Sequence, residues 1–499
     1  MLTLLIAVPL IGAIIVLLAG RVNPLGARVV ALITTVIDLQ IAYLIAAQTR
    51  WHTLAVDHAW IPEFGVHYSL RADWISAVLV LLTTFLGVVA VAVSWREIKT
   101  RVASFHVWVL LLQVGVMLVF LSQDFMLFYL GWELMLIPML FIIGAWGFGR
   151  KEYSAFKFVL FTFTGSIFML SSILFLYFKH WSQFHTASFE YADLQRLSLT
   201  SVEQWWVLLG FLIGFGVKVP LFPLHTWLLD AYPNAPTAGS LLLSGILSKT
   251  GIYGIWRITF PVAPDAIHSF VPVLITLALI GIFYGAFSAF SQHDLKRLIA
   301  YSSFSHVNFI LIGIFLGTSK SETGAVIQMV THGVTTAALF LIAGMLQNKL
   351  RQRDFEGMGG LWAKAPVTGA FLLFFCFAAL GLPGTGNFIG ELYIIGAAFQ
   401  ANWWLGSALA FAVFLAAIYS LQYFTRTMHG PLTPNAVDLH DSDKRENLVL
   451  GVLAALLILT GFVPSLVTQP LNLLFSTSKT KPEVAMLSPR SVSDGRVDQ

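Results

Sequence analysis

Residues 216–225 read GVKVPLFPLH, inside a run that is otherwise apolar from Trp205 to Leu229. The flanks have the composition of a lipid-spanning helix, which needs about 20 apolar residues. Yet Lys218, Pro220, Pro223 and His225 stand where such a helix should hold none of them. Proline removes a helix hydrogen bond, and a charge at membrane depth is expensive. A break with a lysine at its edge exposes backbone carbonyls and amides that can hold water in the membrane core. The stretch therefore points to an all-α membrane fold with chemistry inside it, not to a plain anchor.

Working outward, the whole chain fits that reading. Its 499 residues are 57% hydrophobic and 11% charged, with a mean hydropathy of +0.80, against roughly 25% charged residues in a soluble protein. The lipid bilayer is thus the first expected partner. A formal charge of +4, scattered along the chain, speaks against nucleic acid. The single cysteine, Cys376, cannot ligate an iron–sulfur cluster or close an internal disulfide. There is no GxxxxGK[ST] loop and no dinucleotide fingerprint. The sequence predicts no metal, no cofactor, no direct NADH binding and no redox centre in this chain. The apolar N-terminus lacks a basic n-region and a small-x-small cleavage site, so it reads as a retained span.

Hydropathy predicts about fourteen spans: 2–19, 27–47, 74–95, 104–122, 124–147, 154–178, 204–230, 238–259, 269–290, 296–317, 322–346, 367–400, 402–426 and 446–467. The span 367–400 contains GLPGTGNFIGE, residues 381–391, and reads as two half-helices. The polar segment 50–73 alternates in character and reads as an external hairpin. Of the 29 lysines and arginines, seventeen fall in alternate loops beginning with the 1–2 loop, six on the opposite side and four in the tail; the other two, Lys218 and Lys249, lie inside spans. The positive-inside rule then puts both termini outside the cytoplasm. The tail after Leu474 is polar and reads as disordered.

Few ionisable residues remain within the spans: Glu133 in YLGWELMLIPM, Lys218, Lys249 in LSGILSKTGIYG and Glu391, with His225, His306 and His332. An intramembrane charge is a functional candidate by default. The competing readings stay open: Lys218 and Glu133 as a structural ion pair, or Lys218 snorkelling to an interface, and the histidines as donors to backbone carbonyls. Asp230, Asp124, Lys296 and Arg297 read as boundary charges, Asp230 also as a position for proton uptake. A lysine in a poorly solvated site holds its proton less tightly, and a nearby carboxylate strengthens the hold. Glu133 approaching or leaving Lys218 would therefore gate it. The predicted wire runs Lys218, Lys249, His306 or His332, then Glu391. Two interrupted segments, VKVPLFPLH and GLPGTGNFIG, point to inverted repeats around a mid-membrane site.

Together GWELMLIPM, GVKVPLFPLHTWLLDA, NAPTAGSLLLSGILSKTGIYG, LKRLIAYSSFSHVNF and LPGTGNFIGE resemble the antiporter-like membrane subunits of proton-pumping NADH:quinone oxidoreductase, respiratory complex I. Glu391, where other antiporter-like subunits tend to carry lysine, resembles the chain M (mitochondrial subunit 4) type. Leu229 and Tyr232 depart from the family's usual proline and histidine. The resemblance implies fourteen helices with two inverted five-helix repeats. The division is 1–103 with the loop 50–73, 104–260, 261–428, 429–474 and a tail 475–499. It implies a non-redox, proton-translocating subunit of the bacterial inner membrane, flanked by other membrane-arm subunits. FMN, iron–sulfur clusters and quinone would sit in partner subunits. Glu133 and Lys218 would form the input pair, Lys249 the connection and Glu391 the terminal group, with His306 and His332 as links. The rivals are a subunit of a multisubunit Na⁺/H⁺ antiporter or of an energy-converting hydrogenase, a structural scaffold, and a stand-alone carrier.

Overall fold

The computed structural model describes residues 1–477. Apart from one hairpin, its regular structure is helical. Among the described residues, eleven helices are long and apolar enough to cross a membrane. Each helix leaves its first N–H groups without partners inside the helix. In lipid these must be met locally, so polar caps mark where spans begin. Asp73 and Ser76 cap Trp74–Glu97 reciprocally. Asp124 accepts from the amides of Met126 and Leu127. Thr200 with Glu203, Thr318 with Ser321 and Asp443 with Glu446 do the same for Ser201–Lys218, Ser319–Leu350 and Lys444–Phe462.

The segment expected to be a hairpin is one: β1 (Leu54–Ile61) pairs antiparallel with β2 (Val66–Ala72), turning at Gly65 with φ +64. A single bridge, Leu70 to Ser122, ties it inward, and another joins the neighbouring loops at Asp124 and Glu190. These loops define one face of the bundle. On the other face the amide of Phe148 donates to the Asn234 carbonyl at 2.7 Å, Arg353 pairs with Asp294 at 2.5 Å, and Arg96 pairs with Asp443.

Burial orders the helices from centre to rim. Ser319–Leu350 is 100% buried over its apolar window and Leu295–Phe315 94%, whereas Leu2–Val22, Pro24–Thr49 and Lys151–Phe184 are 39% buried and Lys444–Phe462 22%. The rim helices present their apolar sides outward, the pattern of a lipid-facing bundle.

Both expected breaks are present. Ser201–Lys218 ends at the lysine, and the chain runs through turns over 219–227 before Leu228–Asn234. Pro366–Ala379 and Gly386–Ala401 are separated by residues 380–385. Three features differ from the pattern reading. The span holding Glu133 is interrupted at Met135, between Phe125–Leu134 and Leu136–Trp146. Lys249 sits between two π-helical turns, Leu243–Leu247 and Ile255–Thr259. The last span stops at Phe462 instead of running to 467, because Pro464 disfavours helical geometry in the residue before it. A further helix, Ser465–Thr477, follows, and its last residues, 475–477, enter the segment expected to be tail; the rest of that tail lies outside the described residues.

Candidate functional site

Lys218 is the last residue of its helix and 1% exposed. Its Nζ lies 5.3 Å from the Trp132 ring centre and 5.5 Å from that of Phe158, so two aromatic faces take the place of water around it. Glu133 follows Trp132 and exerts an electrostatic effect on Lys218. The two do not touch: among the described residues Lys218 Nζ and Glu133 Oε1 have no hydrogen-bond partner. The pair implied by resemblance is therefore open in this conformation. Leaving a charged group unpaired at this depth costs about 3 kcal/mol, which makes the arrangement responsive to any approach of the carboxylate.

The next group is reached through close backbone packing. A Cβ at Gly251 would lie 2.8 Å from the Phe215 carbonyl oxygen, and one at Gly254 would lie 2.5 Å from the Phe215 ring. Glycine at both positions lets Ser248–Gly254 lie directly on Ser201–Lys218. Lys249, fully buried, donates to the Ser244 carbonyl at 2.6 Å and lies 2.9 Å from His332 Nδ1. That nitrogen accepts when Lys249 is an ammonium, and a proton can cross the contact directly.

His332 and His306 lie side by side, with ring centres 5.7 Å apart. Both nitrogens of His306 face carbonyl oxygens, Nδ1 that of Ser302 at 2.9 Å and Nε2 that of Ala379 at 3.0 Å. A neutral imidazole can donate from only one nitrogen, so the ring can give its proton to either carbonyl, and the Tyr419 hydroxyl lies 3.4 Å from Nδ1. Glu391 Oε1 is 3.9 Å from Nε2. The Ala379 carbonyl lies at the end of the first half-helix of the broken span, so the break itself supplies an acceptor. Glu391 is 4% exposed and accepts from Gln328 Nε2 at 3.2 Å. Gly381, with φ +75, is needed beside it: a Cβ there would lie 2.2 Å from Glu391 Oε2.

The structure thus brings together Lys249, His332, His306 and Glu391, and leaves Lys218 and Glu133 as a neighbouring, unclosed pair. His225 joins neither group. It stacks at 4.5 Å on Phe304 and 5.6 Å on Phe222, within the turn after Lys218. Asp230 holds Lys157 at 2.6 Å and Arg297 at 3.8 Å, as a boundary ion pair would. Lys296 is a correction: expected as a boundary charge, it is fully buried, 5.2 Å from the Phe148 ring centre, with Nζ donating to the Ala235 carbonyl at 3.4 Å. The loop between helices folds over it, which hydropathy cannot register. Tyr232, at the position that departs from the family pattern, donates to the Leu243 carbonyl at 3.0 Å, at the start of the first π-helical turn. Asp38, fully buried in Pro24–Thr49, is a further intramembrane carboxyl. Scanning the spans for acids finds it; no break or motif marks it.

A polytopic α-helical bundle with a row of buried lysine, histidine and carboxyl groups across its middle is an ion-translocating membrane protein. The profile of the family described as "NADH:quinone oxidoreductase/Mrp antiporter, TM" matches residues 122–418, well over half the chain. NADH-quinone oxidoreductase subunit M of Pseudomonas aeruginosa is 40% identical over 478 residues, covering 92% of this chain and 94% of that one. A chain of respiratory complex I from Thermus thermophilus superposes with a TM-score of 0.85 at 28% identity, over 96% of this chain and 98% of that one. A chain of the Mrp complex from Dietzia shares the fold, with a TM-score of 0.79 at 19% identity over 94% of this chain and 96% of that one. The chain belongs to the NADH:quinone oxidoreductase/Mrp antiporter membrane family.

Proposed function

We infer that this chain is the proton-translocating, subunit M-type membrane component of NADH:quinone oxidoreductase. It carries no redox centre. FMN, iron–sulfur clusters and quinone belong to partner subunits, and other membrane-arm subunits flank the chain. The observation that carries the reading is the run Lys249–His332–His306–Glu391, with contacts of 2.9 Å at one end and 3.9 Å at the other around two stacked imidazoles. The likeness to a named subunit M along nearly the whole chain supports the choice of complex.

In this reading the three units 201–234, 237–262 and 366–401 each count as one crossing beside the eleven long apolar spans, giving fourteen. Residues 104–260 and 261–428 form two inverted five-helix repeats, with 1–103 and 429–474 flanking them. The protein lies in the bacterial inner membrane with both termini on the non-cytoplasmic side. Basic residues favour that orientation.

Protons enter the row when Glu133 moves relative to Lys218. With the carboxylate close, Lys218 keeps its proton; with it withdrawn, Lys218 passes the proton toward Lys249 through water admitted by the break at 219–227. Lys249 hands it to His332 Nδ1. His306 accepts it while its two carbonyl partners and Glu391 hold the imidazolium. Glu391 is the last group before the outer side. The steps are separated in space, so a charge on one group biases the next.

Purifying the tagged chain from native membranes in mild detergent, with mass spectrometry of what accompanies it, tests the complex. Flavin and iron–sulfur NADH dehydrogenase subunits are expected; antiporter subunits alone would move the assignment to the Mrp branch. Lys218→Ala should leave the complex assembled and abolish NADH-driven proton pumping. Pumping at the wild-type level would overturn the mechanism.

A further inference from the structure

The face opposite the hairpin carries a cleft of about 450 Å³ between the ends of three helices. Trp74–Glu97 and the residues just after it bring Arg96, Glu97 and Lys99; Ser319–Leu350 brings Lys349; Lys444–Phe462 brings Arg445 and Glu446. Four cations thus meet two carboxylates, and both carboxylates are already engaged. Glu97 Oε1 accepts from the amide and the hydroxyl of Thr237 at 3.0 and 2.9 Å. Glu446 Oε2 accepts from the Asp443 amide at 2.9 Å and pairs with Lys349 at 3.0 Å. Arg96 pairs with Asp443. Among the described residues Lys99 and Arg445 reach ion-pair distance of no carboxylate. Arg445, half-buried, lies in the field of the like charges Arg96 and Arg28 as well as of Asp443 and Glu446. The lining changes character one or two turns inward: Ala92 and Val93 lie below Arg96, Val449 below Arg445, and Met345 and Leu341 below Lys349. The same three helices, with Pro24–Thr49, then wall a second cavity of about 1010 Å³, which they line with Leu82, Phe85, Val330, Val452 and Leu456. Val449 lines the first cavity and Val452 the second, about 4.5 Å apart along one helix. That helix, Lys444–Phe462, is only 22% buried, so the groove adjoins lipid-facing surface.

We propose that this cleft binds an anionic phospholipid from the leaflet on that face. Its phosphate lies between Lys99, Arg445 and the free N–H groups of Arg96, and an acyl chain runs inward along the groove between Trp74–Glu97 and Lys444–Phe462. A basic pocket between membrane helices suits an anionic lipid head group. Cations at the mouth with aliphatic side chains directly below match an amphiphile better than a free anion, which gains nothing from Val93, Met345 or Val449. A guanidinium has five N–H donors. Asp443 takes one from Arg96, and among the described residues those of Arg445 have no protein partner. A phosphate diester supplies acceptor oxygens to both and offsets the two unpaired charges. Lys99 follows one helix and Arg445 begins another, so the lipid adds a second tie to the Arg96–Asp443 pair. The proposal needs the chain to lie in a membrane but does not need the proton path.

The test returns the intact purified complex to phosphatidylcholine vesicles. These contain a phosphatidylglycerol with a photoactivatable diazirine in its acyl chain or, separately, a phosphatidylcholine with the same chain at the same mole fraction. Peptide mass spectrometry then locates the label. Phosphatidylglycerol should label residues 85–99 and 445–456 well above phosphatidylcholine. Lys99→Gln with Arg445→Gln should cut that excess by roughly fivefold for each cation removed, with labelling elsewhere on the rim unchanged. Equal labelling of the cleft by both lipids in the wild type overturns the proposal, and so does an undiminished excess in the double variant. Where the double variant does not assemble, Lys99→Gln alone, at an exposed residue, decides by the same criterion. Excess inorganic phosphate should leave the label in place; its displacement would show that the cleft takes the free anion and would overturn the lipid. The result holds or fails whatever Lys218→Ala does to pumping, so it is separable from the proton-translocating reading.

Discussion

The two interrupted helices solve the problem of a charge in lipid in opposite ways. At the first, Lys218 faces Trp132 and Phe158 with no hydrogen bond, and its carboxylate neighbour Glu133 stands off. At the second, Glu391 is bonded by Gln328, faced by His306 and seated against the broken backbone at Gly381. One site is left uncompensated, so small movements change its energy greatly; the other is nearly satisfied and resists change. A gate needs the first property and a terminal acceptor the second. The asymmetry fits the proposed mechanism, in which the Lys218 end is the input and the Glu391 end the output.

Of the two carboxylates, the one at the satisfied site should have the larger effect when neutralised. Glu391→Gln keeps the bond to Gln328 but removes the counter-charge of His306. NADH-driven pumping in inverted vesicles is expected to fall by about a hundredfold while the complex still assembles. A fall of less than about twofold would mean that protons leave by another route. At the open site the change is smaller. Glu133→Gln removes a carboxylate that makes no contact with the lysine in this conformation, so coupled turnover should slow by about tenfold, with assembly and stability unchanged. Unaltered quinone reductase activity in tightly coupled membranes would sink the gating role.

The smallest effect concerns the hairpin, whose loops meet the helix that carries Glu133. His67 Nδ1 lies 3.0 Å from Asp57 and 3.1 Å from Glu190. Burial opposes the charge on His67. The hydrogen bond and charge of Asp57, then the charges of Glu190 and Asp124, outweigh it and raise the imidazole above its ordinary value. The protonated form therefore favours the docked hairpin. That contribution is complete below the ordinary histidine value and fades as pH rises through the raised one. Hydrogen exchange of the hairpin amides should show slightly weaker protection at the alkaline side, and His67→Ala should abolish the pH dependence. Equal pH dependence in the variant would show that another group is responsible.

Much of this was legible in the sequence because hydropathy and proline act locally. A run of apolar residues must be helical in lipid whatever surrounds it, so the spans and both breaks could be read directly. The ionisable set was legible for the same reason: a lysine or glutamate inside such a run is conspicuous at Lys218, Lys249, Glu133 and Glu391. Lys296 was not, because its burial comes from a loop folding over a helix end. The π-helical turns beside Lys249 have no residue signature.

The sequence by itself determined that the chain lives in a membrane, where it is broken and that Glu133, Lys218, Lys249 and Glu391 lie within spans. Only the tertiary structure decided which histidine meets Lys249 and which meets Glu391. His306 and His332 lie 26 residues apart on different helices, and Glu391 and Ala379 on two halves of a third. Their alignment depends on how the buried helix Ser319–Leu350 packs against its neighbours. Packing is a matter of side-chain shape at many contacts at once, and no local stretch of sequence contains it.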